Sequence, residues 1–249
     1  MSAALPALTL RSGLLLDLDD LLLSGRNREW LLPLAEALSN AHFVLDGAAV
    51  LLSGMPAEEV DEFFAPLQLP MIASMGWQRR WRPGAAVDAD SPPSGLDALF
   101  ERLGTALNAM PGVTWRHSVC SLEIDCGGSG RAAECSLLLR HGLAGRPGFR
   151  LLQRGSRFQI LPSNLRKDHA IEMLRDHGQF VGHRLLHVAD NVLSEDANRQ
   201  VRRGNGVSIR VGGGTTTAEH RAEDWRQVRD WIAEGVTRLS VERSHADGF

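Results

Sequence analysis

The chain has 249 residues, a formal charge of −3 and a sequence pI near 6.3. That length supports one domain or a core with a smaller unit set into it, and the near-neutral balance with scattered Arg residues argues against nucleic acid as a partner. Cys120, Cys126 and Cys135 lack C-x-x-C spacing, so they are expected to be reduced, structural thiols; the non-basic start and the short, acid-broken apolar run after it predict neither signal peptide nor membrane span, and hence a cytoplasmic protein.

The first element is the run Gly13-Leu-Leu-Leu-Asp17-Leu-Asp19-Asp20-Leu-Leu-Leu23, an apolar strand broken by acids at its end. A buried parallel strand tolerates charge only at its end, which is where open α/β sheets build their ligand crevice. Trp30, Leu31, Leu34 and Leu38 give Arg28 to Leu38 a helical period, and Phe43 to Leu52 reads as a second strand with a turn at Asp46-Gly47. Ser53-Gly54 ends that strand, and Pro56 opens a helix whose first turn is acidic, as suits a helix N-terminus. Met71 to Gly76 is a short strand and turn, and Arg82 to Gly95 has the Pro, Gly, Ala and Asp content of a connection. Beyond it, Leu96 to Leu107 reads as a helix, and Gly112 to Ile124, Cys135 to Arg140 and Phe149 to Leu152 read as strands. Phe158 to Leu161 is a short strand, Lys167 to Arg175 a helix, Arg184 to Ala189 a strand ending on Asp190, and Gly206 to Val211 another strand. A helix around Trp225, Val228 and Ile232 closes the chain. Alternating β and α on both sides of a differently textured block predicts an α/β, parallel-sheet core, residues 1–82 and 157–249, with a small α+β cap inserted at 83–156.

Four features fall at strand ends or helix starts of the core: Asp17/Asp19, Ser53-Gly54, Lys167 and Asp190. Asp17 suits attack on phosphorus to give an aspartyl phosphate, with Asp19 as general acid and then base. Asp17, Asp190 and a main-chain carbonyl at Asp19 would hold Mg²⁺, a cation of hard oxygen ligands. The Ser53 hydroxyl and Gly54 amide suit a phosphate oxygen, and Lys167 would neutralise the transferring group. His183 and His187 are expected to be structural, Gly212 to Thr217 a flexible turn, and Trp225 and Trp231 packing residues.

In their order and surroundings these residues resemble the haloacid dehalogenase-like phosphatases, and among them the trehalose-6-phosphate phosphatase family, over most of the chain. The first motif of that family, Asp-x-Asp-Gly-Thr-Leu, stands here as Asp17-Leu-Asp19-Asp20-Leu21-Leu22, and the second, Ser-Gly-Arg, as Ser53-Gly54-Met55. Gly76-Trp77-Gln78-Arg79-Arg80 is similar to the family's Gly-x-Glu-x-Arg segment, and the Lys-Gly pair that opens a helix stands as Lys167-Asp168. The fourth motif, Gly-Asp-Asp-x-Thr-Asp-Glu-Asp, stands as Ala189-Asp190-Asn191-Val192-Leu193-Ser194-Glu195-Asp196, and Gly206 to Gly212 with Thr217-Ala218 match the closing strand and turn. The resemblance implies a Rossmann-like core with an α+β cap, a Mg²⁺-dependent sugar-phosphate phosphatase, and trehalose-6-phosphate as substrate. In the cap, the positions implied to read the sugar are Arg116-His117-Ser118, Asp125-Cys126-Gly127 and Gln159, none of which keeps the family's side chain. Two readings follow: a monomeric enzyme acting on a sugar phosphate, or a weakly active homologue that binds a sugar phosphate or a protein as a regulator.

Overall fold

The computed structural model describes residues 4–23, 28–91, 95–118, 120–191 and 194–246. The chain divides into two compact units, Met1–Ala89 with Arg166–Phe249, and Asp90–Leu165.

The first unit opens with β1 (Ser12–Asp17), all six residues of which are buried, followed by α1 (Asp19–Leu23) and α2 (Arg28–Val44). Next come β2 (Ala49–Leu52), α3 (Ala57–Phe64), β3 (Met71–Ala73), a single tight turn at Ser74–Gly76, β4 (Gln78–Arg80) and the short β5 (Asp88–Ala89). The second unit holds α4 (Leu96–Asn108), β6 (Thr114–His117), β7 (Leu122–Asp125), α5 (Ala132–Leu143), β8 (Phe149–Arg154) and β9 (Arg157–Pro162). The chain then returns to the first unit as α6 (Lys167–Asp176), β10 (Arg184–Ala189), α7 (Glu195–Arg203), β11 (Val207–Val211), β12 (His220–Ala222) and the long α8 (Trp225–Ala246).

The first unit's sheet runs β12-β11-β10-β1-β2-β3-β4-β5. Its first six strands are parallel and β4 and β5 turn antiparallel. β1 is central, with β2 on one side and β10 on the other, so the connections diverge at its C-terminal end, the crevice where such sheets take ligands. A buried run of Leu, Val, Ile and Ala from β1, β2, β10 and β11 packs against the apolar faces of α2, α3, α6 and α8. Burying a Leu or Ile side chain contributes about 1.5–3 kcal/mol. This layer therefore fixes the strand ends on which the site stands.

The second unit has an antiparallel sheet in the order β6-β7-β9-β8, with Leu122, Ile124, Phe158 and Ile160 buried against Leu99, Leu103 and Leu107 of α4 and Cys135 and Leu139 of α5. Three expectations are corrected here. Cys135 to Arg140 is helical, because Cys135 and Leu139 recur at i and i+4, and a short Leu run leaves helix and strand equally open. Gly112 to Ile124 is a hairpin broken at Ser118–Ser121, where the Ser118 amide donates to the Ser121 carbonyl at 2.8 Å and the two hydroxyls meet at 2.7 Å. β9 pairs with β7 and β8, so this unit runs from Asp90 to Leu165, past the expected 83–156. In the first unit α2 extends through Phe43, whose side chain is 82% exposed on the helix surface, and the strand begins only after the turn at residues 45–47. Among the described residues, no helix is long and apolar enough to cross a membrane.

Candidate active site

The strand register builds the site. Asp17 is the last residue of β1 and lies opposite Leu52 of β2 and Ala189 of β10, so Ser53 and Asp190 each follow a register partner of Asp17 by one residue. Lys167 is the first residue of α6 and Asp19 the first of α1. All six expected residues, Gly54 beside Ser53 included, thus come to one strand-end crevice of a single unit.

Within it, Asp17, Asp19, Ser53 and Lys167 are all buried. The Lys167 ammonium donates to both Asp17 oxygens, Oδ1 at 2.7 Å and Oδ2 at 2.6 Å, and to Asp19 Oδ2 at 2.7 Å. Burial, the largest single influence, would raise the Asp17 pKa; the charge of Lys167 and the hydrogen bonding and charge of the His187 imidazole together outweigh it and hold the carboxyl below the usual carboxylate range. Burial would likewise discharge Lys167, yet Asp17 and Asp19 hold its pKa above the usual lysine value.

The Ser53 hydroxyl donates to Asp19 Oδ1 at 2.7 Å, and the Gly54 amide donates to both Asp19 oxygens at 3.2 and 3.1 Å. The expected phosphate cradle of Ser53, Gly54 and Lys167 therefore closes around the Asp19 carboxylate, which presents to it the oxygens an anionic ligand would present. Gly54 is needed for this approach: a Cβ there would lie 2.6 Å from Met75 Cε and 3.2 Å from Asp19 Oδ2.

Four further side chains complete the surroundings of Asp17. Ser194 donates its hydroxyl to Asp17 Oδ2 at 2.5 Å, and Asn191 donates its amide to Oδ1 at 3.2 Å. His187 Nε2 stands 3.9 Å from Asp17 Oδ2, and its Nδ1 is 2.8 Å from Asn198 Oδ1 on α7. His187 is fully buried and borders the site, whereas half-buried His183 stays outside it. The sequence signal for His187 is a histidine in the middle of an otherwise apolar parallel strand. Ser194 and Asn191 stand out in the sequence only as departures from a motif, and Asn198 carries no signal at all.

Asp190 does not touch Lys167. Its Oδ1 accepts the Asp20 amide at 3.3 Å, and its Oδ2 accepts the Leu21 amide at 2.8 Å and the Trp225 indole N–H at 3.0 Å. Trp225, expected only to pack, thus orients an acid of the site. Burial, reinforced by the negative charges of Asp17 and Asp20, pushes the Asp190 pKa up to about 6. Between the ordinary carboxylate pKa and 6 the folded protein binds more protons here than the unfolded chain, so stability falls as pH rises across that window, by an amount on the order of 3 kcal/mol. Urea denaturation of metal-free protein at pH 4.5 and 7.5 should register this decline, and Asp190→Asn should flatten it; an unchanged slope in the variant would assign the decline to another group.

Among the described residues, no three His, Cys, Asp or Glu side chains gather into a cation site. Mg²⁺ does not need three: it takes one or two carboxylates and keeps water or substrate oxygens on its other faces. Asn191 follows Asp190 in the chain and donates its amide to Asp17, while its Oδ1 is buried without a hydrogen-bond partner; a hard oxygen left over there suits such a cation. Glu195 is committed elsewhere, to Thr216 Oγ1 at 2.7 Å and the Thr217 amide at 2.9 Å, which ties down the Gly212–Thr217 turn, and exposed Asp196 pairs with Arg199 and Arg166.

No family model matches the chain. It is 23% identical over 201 residues to "Trehalose-6-phosphate phosphatase" of Escherichia coli (strain K12), a span covering 80% of this chain and 76% of that protein. At this low identity the chain is similar to the trehalose-6-phosphate phosphatases, as a divergent relative of them. Two solved structures share its α/β core-and-cap fold. A "trehalose-6-phosphate phosphatase related protein" superposes with a TM-score of 0.68 at 18% identity, covering 92% of this chain and 99% of that one. A haloacid dehalogenase-like hydrolase from Bacteroides thetaiotaomicron superposes with a TM-score of 0.58 at 12% identity, covering 91% and 98%.

The departures from the family motifs have local explanations. The first motif's Gly and Thr are Asp20 and Leu21, and here it is their main-chain amides, which any residue supplies, that bind Asp190. The motif-four positions occupied by Asn191 and Ser194 have lost a charge yet still reach Asp17 through N–H and O–H donors. Val192 and Leu193 of that motif lie outside the described residues. Gln78, in the Gly-x-Glu-x-Arg-like segment, accepts the Ala57 amide at 2.9 Å and the Ser74 hydroxyl at 2.8 Å, and Arg80 makes a two-pronged pair with Asp61 at 2.7 Å. Both therefore hold the α3 end of the core. At the cap positions where the family would read the sugar, Arg116 pairs with Glu123, Asp125 with Arg157, and Gln159 donates to Ser121 at 3.4 Å. These side chains are spent within their own sheet.

Proposed function

We propose that the protein is a phosphoric monoester hydrolase that removes phosphate from a sugar phosphate through an aspartyl-phosphate intermediate, with trehalose-6-phosphate as the first substrate to test. One observation carries the reading: a single buried lysine bridges two carboxylates at a parallel-strand end, and the hydroxyl and amide that share its second carboxylate are a ready oxyanion cradle.

In this reading Lys167 keeps Asp17 ionised, and the phosphoryl group of the substrate replaces the Asp19 carboxylate between Ser53, Gly54 and Lys167. Asp19, released from the cradle and from Lys167, takes up a proton from solvent; Asp17 attacks phosphorus, the bond to the sugar oxygen breaks, and Asp19 delivers that proton to the departing oxygen. Asp19 then takes a proton from the water that attacks phosphorus, the bond to Asp17 breaks, and phosphate leaves. Ser194 and Asn191 orient the attacking carboxylate from its other side. Mg²⁺ held by Asp17, Asp190 and the Asp19 carbonyl, with Asn191 Oδ1 beside them, would offset charge on the phosphate oxygens.

The test is phosphate release from a panel of sugar phosphates with Mg²⁺ and with chelator. Release that depends on Mg²⁺ and on Asp17 supports the reading. Release only from substrates other than trehalose-6-phosphate keeps the chemistry and removes that substrate, an outcome the internally paired cap positions favour. If the protein and Asp17→Asn are equally silent while a sugar phosphate still raises the melting temperature, the chain is a binding homologue and not an enzyme.

A further inference from the structure

A second concavity lies in the first unit, away from Asp17. It has a volume of about 540 Å³ and is lined by Arg184, Arg199, Arg202, Arg203, Asn205, Gly206 and Glu219. Four guanidinium groups face one carboxylate there, on a chain whose overall formal charge is −3. The cluster is therefore a local arrangement and not a reflection of a basic protein.

Arginines in the last turn of a helix have an ordinary explanation, since cations suit the carbonyl end, and Arg202 and Arg203 stand in that turn of α7. Arg184, at the start of β10, and Arg199, a turn earlier in α7, do not share that explanation, yet they line the same hollow. Anchoring also differs from that of a loosely solvated face. Arg184 Nε donates to the Asn205 carbonyl at 3.1 Å and Arg202 Nη1 to the Thr217 carbonyl at 3.1 Å, so each guanidinium is held by one N–H while others remain for a ligand. Glu219 spends part of its charge on the Ser208 amide at 3.3 Å and lies 3.9 Å from Arg202, while Arg199 pairs with Asp196. Among the described residues, Arg184 and Arg203 have no carboxylate partner.

We propose that this hollow binds a small phosphate-bearing anion of at least two negative charges. Guanidinium forks match phosphate oxygens two at a time, which is why Arg is favoured where planar, two-pronged anion recognition is needed. The volume falls within the range of small-molecule sites. The lining has no aromatic ring on which a base would stack, and the chain's net charge is negative, so a nucleic acid strand is not the occupant. The site is built on the exposed side of α7, whose buried side supplies Asn198 to His187, and the proposal goes beyond the phosphatase reading without depending on it.

Isothermal titration of the full chain with inorganic pyrophosphate at 150 mM NaCl tests it, with citrate as a carboxylate anion for comparison. The expected result is one saturable site that Asp17→Asn leaves intact and that Arg184→Glu with Arg203→Glu weakens at least tenfold, citrate binding less tightly than pyrophosphate. Both arginines are exposed, and Arg184→Ala with Arg203→Ala, expected to weaken binding in the same direction, serves if charge reversal lowers the melting temperature. Binding lost at 150 mM NaCl, binding equal in the charge-reversed protein, binding abolished by Asp17→Asn, or citrate binding as tightly would each overturn the assignment. Phosphate release from sugar phosphates is measured separately, so failure here and failure of the phosphatase reading are told apart.

Discussion

Asp17→Asn is expected to lower the rate of phosphate release by about 10⁴-fold or more, the scale on which enzymes lose turnover when a nucleophile is removed. An amide cannot form the acyl phosphate, and no other carboxylate takes its place: Asp19 is shared among Ser53, Gly54 and Lys167, and Asp190 is held by the Leu21 amide and Trp225. The fold should survive, because Lys167 keeps Asp19 as a buried partner at 2.7 Å. The side chain will nevertheless place an N–H among donors that now face oxygens, so a modest fall in melting temperature is expected beside the loss of turnover. Single-turnover kinetics with an acid quench is the direct measurement. Wild type should accumulate protein-bound phosphate on the way to product and the variant none; a variant that keeps turnover removes Asp17 from the chemistry.

Lys167→Met is the more damaging change to stability. It leaves Asp17 and Asp19 buried without a cation, and removing one partner of a buried ion pair typically costs about 3–5 kcal/mol. The pH dependence separates this cause from lost packing. Asp17 is depressed in the folded wild type, so its contribution is present above the ordinary carboxylate pKa and is lost as pH falls through the folded value. Lys167 is raised, so its contribution is present below the ordinary lysine pKa and is lost as pH rises through its folded value. In the variant the Lys167 charge no longer opposes burial, and Asp17 regains neutrality at a higher pH than in the wild type. The gap between wild type and variant should therefore be widest near neutrality and narrow toward pH 4. Equal gaps in urea denaturation at pH 7.5 and 4.5 would leave packing as the explanation.

Much of this arrangement can be read from sequence because parallel strands have a strict logic. An apolar run that ends on Asp17, a strand that ends before Ser53 and another that ends on Ala189 before Asp190 place three candidate site residues at one end of the sheet once the strands are neighbours. The second unit is less legible because its signals are local and ambiguous. Cys135 to Arg140 has the composition of either a helix or a strand, and only packing of Cys135 and Leu139 against α4 decides it. β9 follows a turn near the expected return to the core, yet its alternating burial belongs to the antiparallel sheet. Within the site, His187 and Asn198 are hidden for a different reason: their contact links a strand to a helix eleven residues on, and no motif spacing encodes it.

The position of Asp19 has a consequence for how tightly the crevice holds any anion. A carboxylate tethered two residues beyond the strand end acts as a built-in competitor, with the high effective concentration that tethering confers. An arriving phosphate does not fill a bare positive pocket; it exchanges with that carboxylate, and its affinity is the difference between two anions. Monovalent ions such as chloride gain little from the exchange, so the crevice screens them out by its own occupancy. A phosphate ester has more charge and more oxygens to offer, and in the proposed reaction its arrival also frees Asp19 to serve as the acid.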